Sequence, residues 1–139
     1  MSELVNKAII AAVNAHSGQM RKLSKIPYIL HPLEVANIIA TVTTDENVIA
    51  AGILHDTVED TDMTPEEVRE QFGPRVAAIV ASDSEDKLSQ KPPAETWLQR
   101  KEESLLMLKH TKDRDVKIMW LGDKLSNIRS MYCSYVKIG

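Results

Sequence analysis

The densest chemistry in this sequence lies in the string GILHDTVEDT, where His55, Asp56, Glu59 and Asp60 follow a strongly apolar run. Read as one continuous helix, the four side chains fall within an arc of about 140°. Four ionisable groups at the end of a buried helix are costly unless something neutralises them. Two resolutions exist. The helix can emerge into solvent at His55 and leave the acidic run as a solvated end, or a divalent cation can be held by the His and Asp. Acidic groups at a helix C-terminus oppose the macrodipole, so helix stability does not account for them.

Two further signals stand apart in the chain. His31-Pro32 falls where a helix starts, and taken alone reads as a histidine capping the chain entry. Asp123 and Asn127 are four apart on the last helix and share a face. They lie opposite the stripe Ile118, Leu121, Leu125, Ile128 and Tyr132. A solvated face would carry Lys and Glu, whereas Trp120, Ser130 and Ser134 are uncharged, which points to a lined pocket. Two His and two Asp make a nitrogen–oxygen donor set. Such a set suits Mn²⁺, Fe²⁺ or Zn²⁺ better than Ca²⁺ or Mg²⁺. A metal of this kind acidifies water toward neutral pH and so supplies a nucleophile.

Almost every segment that must position these residues reads as helix. Ser2 caps a first helix with Leu4, Ala8, Ala11 or Ala12, and Ala15 on one face, stopping at Gly18. Residues 19–30 form a basic connector with no clear period. Pro32, at a helix N1 position, opens a second helix through about Ala40. Thr43-Thr44-Asp45 starts a third, spanning about residues 45–59. It is apolar on nearly all sides around Val48–Leu54 and is therefore expected at the centre. Thr64-Pro65-Glu66-Glu67 is a capping box that opens a helix ending near Gly73, and Pro74 begins another through about Ser82. Residues 83–95, with Pro92-Pro93, read as a long charged surface loop. Thr96–Thr111 is helical, and a last helix runs from Arg114 to at least Tyr132. No strand is convincing. The expected fold is all-α, one compact bundle of about six to eight helices over residues 1–139. The chain stops at Ile138-Gly139 without a terminating signal, so a C-terminal portion is expected to be missing.

Composition narrows the function classes. Of 139 residues 43% are hydrophobic and 27% charged, which suits one globular domain and excludes wholesale disorder. Aromatics at 4%, with Gly 5 and Pro 6, argue against a many-stranded β-sandwich. A net charge of -3 advertises no nucleic-acid partner, so an anionic ligand must meet a local basic patch or a metal. The lone Cys133 and the lack of a charged-then-apolar leader read as a reducing, cytoplasmic protein. The longest apolar stretch is too short to span a bilayer. Nothing in the sequence specifies an oligomeric state.

The order His31 … His55-Asp56 … Asp123 resembles the H…HD…D signature of the HD metal-dependent phosphohydrolases. RKLSKIPYILHPLEVA, AGILHDTVEDTDMTPEEVREQFGPRVAAIV and KIMWLGDKLSNIRSM resemble the hydrolase domain of the RelA/SpoT homologues and the small alarmone hydrolases. HDxVEDT together with LxDKLxN is the specific part. The resemblance implies an HD-domain helical fold. It further implies Mn²⁺-dependent hydrolysis of the 3′-pyrophosphate of a nucleotide alarmone such as (p)ppGpp, by a metal-activated water. It makes His31, His55, Asp56 and Asp123 metal ligands, and Glu59 and Asp60 the acidic pair that orients the water and handles protons. Arg21 and Lys22 match the family's Arg-Lys pair facing the nucleotide. Asn127 matches an Asn on the nucleoside, and Ser130 sits near a further contact position. Lys25 is an additional candidate for the anion-binding side. The connector before His31 is one residue longer than the family pattern and lacks its Gly. The segment carrying Lys87, Trp97 and Arg100 also differs, and could form another base or phosphate pocket. Rival readings are an HD phosphohydrolase acting on a nucleoside monophosphate or a dinucleotide cofactor, and a non-catalytic nucleotide-sensing module.

Overall fold

The most apolar segment takes the centre, as a helix apolar on nearly all sides must. In the computed structural model this is α3 (Glu46–Leu54), with Val48, Ala50, Ala51, Gly52, Ile53 and Leu54 all buried. Around it pack α1 (Glu3–Ala15), α2 (Leu30–Ala40), α6 (Pro74–Ser82) and α7 (Arg114–Ile138). The short α4 (Thr57–Asp60) follows α3, and α5 (Pro65–Phe72) packs on α6. The structure describes residues 3–21, 25–82, 98–99, 102–103, 105–106, 109 and 111–138. Among these the fold is all-α, and the one strand-like feature is a backbone bridge between Met20 and Pro27. The Ser2 cap, the loop over 83–95, and Lys22, Lys87, Trp97 and Arg100 lie outside the described residues. No helix among the described residues is long and apolar enough to cross a membrane.

Local sequence sets most boundaries. Gly18 takes φ +81° where α1 has ended, a conformation that glycine adopts without steric cost. Asp45 accepts from the Asn47 amide and Thr64 from the Glu67 amide, capping α3 and α5. Pro65 and Pro74 open α5 and α6.

Two expectations change, and the orientation of the last helix becomes clear. First, α2 begins at Leu30, so Pro32 sits in its first turn rather than at N1. The first-turn amides have no intrahelical partner, so a proline is tolerated there too. Second, the helix expected over 45–59 breaks at His55-Asp56 into α3 and α4. His55 Nδ1 donates to the Gly52 carbonyl and the Thr57 hydroxyl to the Leu54 carbonyl. These side chains take the carbonyls that a continuing helix would need.

On α7 the stripe faces outward: Leu121, Leu125, Ile128 and Tyr132 are 51% to 66% exposed, and of the five only Ile118 packs against the core. The face turned inward carries Met119 into the core and then the small or polar Gly122, Asp123, Ser126 and Ser134. Gly122 eases this arrangement, because a Cβ there would lie 3.1 Å from Ile39 Cγ1 of α2, closer than ordinary van der Waals contact. Close approach of α7 to α2 needs that side free, and it carries Asp123 into the site.

Candidate metal centre

His31 enters from the first turn of α2, His55 and Asp56 from the break between α3 and α4, and Asp123 from the inner face of α7. One donor atom from each lies within 4.8 Å of all the others. Nε2 of His31 and Nε2 of His55 each stand 2.9 Å from the same oxygen, Asp123 Oδ1. Asp56 Oδ2 is 3.0 Å from His55 Nε2 and 3.6 Å from His31 Nε2. The outward nitrogens are both tied back. His55 Nδ1 donates to the Gly52 carbonyl at 2.5 Å. His31 Nδ1 lies 2.8 Å from Ser126 Oγ, which itself donates to Glu34 Oε1 at 2.6 Å. With its own proton given to Glu34, Ser126 must accept from His31, so both rings carry a proton on Nδ1. Both therefore turn Nε2 inward. Fixing one ring nitrogen so that the other can ligate is the arrangement that metal-binding histidines use.

The electrostatics show what the cluster lacks. Burial disfavours protonated His55, yet the Asp56 charge and hydrogen bonds to Asp123 and Asp56 outweigh it and hold His55 well above its ordinary value. Burial likewise disfavours ionised Asp123, but His31 and His55, with Lys124 beside it, pull its carboxyl far below the usual range. Asp56 is lowered for the same reason: burial opposes ionisation, and the His55 charge overrides it. The buried Asp123 and the half-buried Asp56 thus favour a proton on the buried His55 ring, with Lys124 a further positive charge 3.0 Å from Asp123 Oδ2 at the rim. A divalent cation offsets the two carboxylates better, because it meets all four donors at once. The donor set, nitrogen and oxygen without sulfur, fits a divalent transition metal on its chemistry.

The residues assigned to substrate distribute unevenly. Arg21 Nη2 donates to Asn127 Oδ1 at 3.3 Å, and Asn127 Nδ2 reaches Asp123 Oδ1 at 3.4 Å, so this pair borders the cluster. The Arg21 guanidinium lies 5.9 Å from the centre of the Tyr28 ring. A cavity of about 300 Å³ opens beside His31, between the connector, α2 and α7, and is lined by Arg21, Ser130, Ser134, Arg129 and Lys137 among others. Lys25 is exposed at the connector's turn and does not line this cavity. Its backbone is left-handed (φ +56°), so Lys25 takes the kind of position that the missing family Gly would fill without strain. Lys22 lies outside the described residues. Glu59 is half-buried and Asp60 exposed, both on α4 directly beyond the His-Asp pair.

Sequence reading missed the supports. Tyr28, Ser126 and Glu34 stand outside the four-residue cluster: Tyr28 bonds Asp56, Ser126 bonds His31, and Glu34 holds Ser126. The only signal for Ser126 was its uncharged side chain on the Asp123 face.

A family model described as an HD domain matches residues 8–135. The chain belongs to the HD-domain family. Within it, the chain is 38% identical over 121 residues to the guanosine-3′,5′-bis(diphosphate) 3′-pyrophosphohydrolase of Haemophilus influenzae, covering 86% of this chain and 17% of that protein. It is 35% identical over 133 residues to a GTP pyrophosphokinase of Myxococcus xanthus, covering 93% of this chain and again 17% of the relative. This HD domain thus spans about a sixth of the length of the curated relatives it matches. Among solved structures it is similar to a metazoan ortholog of SpoT that hydrolyzes ppGpp, with TM-score 0.84 and 31% identity over 96% of this chain and 72% of that one. A Listeria monocytogenes structure matches with TM-score 0.68 and 36% identity, over 80% of this chain and 66% of that one.

Proposed function

We propose that this HD domain is a Mn²⁺-dependent pyrophosphohydrolase that removes the 3′-pyrophosphate of a nucleotide alarmone such as ppGpp. The observation that carries the reading is the convergence of two inward Nε2 atoms and two carboxylates beside a cavity edged by Arg21, Arg129 and Lys137. The relatives named as ppGpp hydrolases support the substrate class.

His31, His55, Asp56 and Asp123 hold the metal. When bound, the cation supplies positive charge that acidifies water and offsets the charge of the phosphates. The chain's own residues do the rest. Arg21 grips phosphate or stacks on the base, with Asn127 holding its guanidinium in place and contacting the nucleoside. Ser130 lines the same cavity. Lys22 and Lys25 add positive charge along the connector, which a polyanion needs beside so acidic a site. Glu59 and Asp60 flank the reacting phosphorus: one accepts the proton of the attacking water, the other gives a proton to the departing ribose O3′. The nucleoside 5′-diphosphate, with its 3′-hydroxyl restored, and pyrophosphate leave as separate products. The lone Cys133 fits a reducing compartment such as the cytoplasm.

The test is a hydrolysis screen of ppGpp, its adenine analogue, nucleoside monophosphates and dinucleotide cofactors, with Mn²⁺ and with chelator. Mn²⁺-dependent release of pyrophosphate from ppGpp is expected. Release of phosphate alone, or turnover indifferent to chelator, contradicts the reading.

A further inference from the structure

Gln19 follows α1, in the turn that leads into the connector, and reaches across the fold to the end of α4. Its side-chain Nε2 donates to the backbone carbonyl of Asp60 at 2.8 Å. Its Oε1 lies 2.9 Å from Nδ1 of His16. A carbonyl oxygen only accepts, so the amide NH₂ must face Asp60 and the amide oxygen must face His16. His16 is then the donor, with its proton on Nδ1. Its Nε2 is left buried with no partner among the described residues. Burying an unpaired polar atom is unfavourable, and an apolar ring would fill the space without that penalty. What the imidazole adds is a donor that locks the Gln19 amide in one orientation. The Gln19 backbone is also held, its N–H on the His16 carbonyl at 3.0 Å and its carbonyl by the Tyr28 N–H at 2.8 Å.

The group at the other end needs such help. Helix α4 has four residues, Thr57–Asp60, too few to hold itself. The Asp60 carbonyl is at its C-terminus, where no intrahelical donor remains. The carbonyl that Gln19 grips belongs to Asp60, and Glu59 precedes it.

We propose that His16 and Gln19 are positioning residues, a two-step relay that fixes the Glu59–Asp60 corner and so the aim of those carboxylates. The inference rests on the reading of Glu59 and Asp60 as the acid–base pair. A carboxylate misplaced by about 1 Å can cost up to about 100-fold in rate.

The experiment compares wild type, Gln19→Leu, His16→Asn and His16→Leu in the full chain. In metal-free protein, Gln19→Leu speeds amide exchange at Asp60 and Thr61 about tenfold while α3 amides keep their protection. With Mn²⁺, kcat on ppGpp falls about 10- to 100-fold, while KM and Mn²⁺ affinity stay within about twofold. Asn places a donor where Nδ1 of histidine stands, so His16→Asn retains most of the activity and the protection, and His16→Leu matches Gln19→Leu. Gln19 is half-buried, so its replacement leaves the core intact and decides the matter even if His16→Leu does not fold. Unchanged exchange at Asp60 and Thr61 in Gln19→Leu overturns the relay, as does a loss of Mn²⁺ affinity equal to the loss of kcat. If wild type releases no pyrophosphate, the functional reading fails, and the exchange measurement still decides the relay.

Discussion

The hydroxyl of Tyr28 donates to Oδ2 of Asp56 at 2.5 Å, joining the α1–α2 connector to a carboxylate of the His–Asp cluster. Burial, and then the Asp56 charge, push this hydroxyl far above the ordinary tyrosine value, so it stays a donor at any working pH. The same ring stacks edge-on to His31 with centroids 5.7 Å apart. Tyr28→Phe keeps the ring and removes only the bond to Asp56. Mn²⁺ affinity, measured by calorimetric titration, is expected to fall about 10- to 100-fold with the fold unchanged.

Glu59→Gln and Asp60→Asn each remove one proton-transfer group from α4 and leave the four cluster residues in place. Each is expected to lower kcat about 10²- to 10⁴-fold, the range for positioned acids and bases. Metal content by elemental analysis should match wild type. Near-normal turnover in both variants would leave the metal and remove the proposed acid–base pair.

Arg21→Ala removes a guanidinium that meets Asn127 on one side and the Tyr28 ring on the other. Steady-state kinetics are expected to show a kcat/KM for ppGpp lower by about 10- to 100-fold, the scale of a lost charge-assisted contact. Arg21→Lys should recover little of it, because an ammonium cannot grip phosphate in a bidentate manner or stack as a plane.

Asp113 joins two helix starts. Its carboxylate accepts both Arg75 guanidinium nitrogens, each at 2.9 Å, and also accepts the Asp115 amide at 3.0 Å as the cap of α7. Asp113→Ala loses ion pair and cap together, about 1–2 kcal/mol. Asp113→Asn keeps the cap and loses only an exposed pair, at most about 1 kcal/mol. The Arg75 hydrogen bonds hold the Asp113 carboxyl below its ordinary value. Its stabilisation is therefore complete above the unfolded-state value of about 3.9 and fades as pH falls through the lower folded value. Urea denaturation from pH 7 to pH 2 should show the gap between wild type and Asp113→Asn closing only at the acidic end.

Much of this protein could be read before its fold was known. The Thr64 cap, the prolines at 65 and 74 and the glycine at 18 act through a hydrogen bond or a backbone dihedral within a few residues, and such signals survive into any tertiary context. The apolar run over Val48–Leu54 could only be central. His31, His55, Asp56 and Asp123 declared themselves by residue type and by a shared pattern.

What the chain could not declare is which side of a helix turns inward and where a helix breaks. Periodicity marks the stripe on α7 with equal force whether it is buried or exposed, and only the packed fold, with Gly122 close to Ile39 and both histidines on Asp123, turns Asp123 toward the core. The break at His55-Asp56 depends on side chains that take the carbonyls of Gly52 and Leu54, a competition invisible to helical periodicity. Tyr28, Ser126 and Gln19 acquire their roles across 28, 95 and 41 positions of sequence. Residue types able to ligate a metal are legible from their own chemistry; the side chains that orient them are chosen by what stands next to them, and only the packed fold decides that.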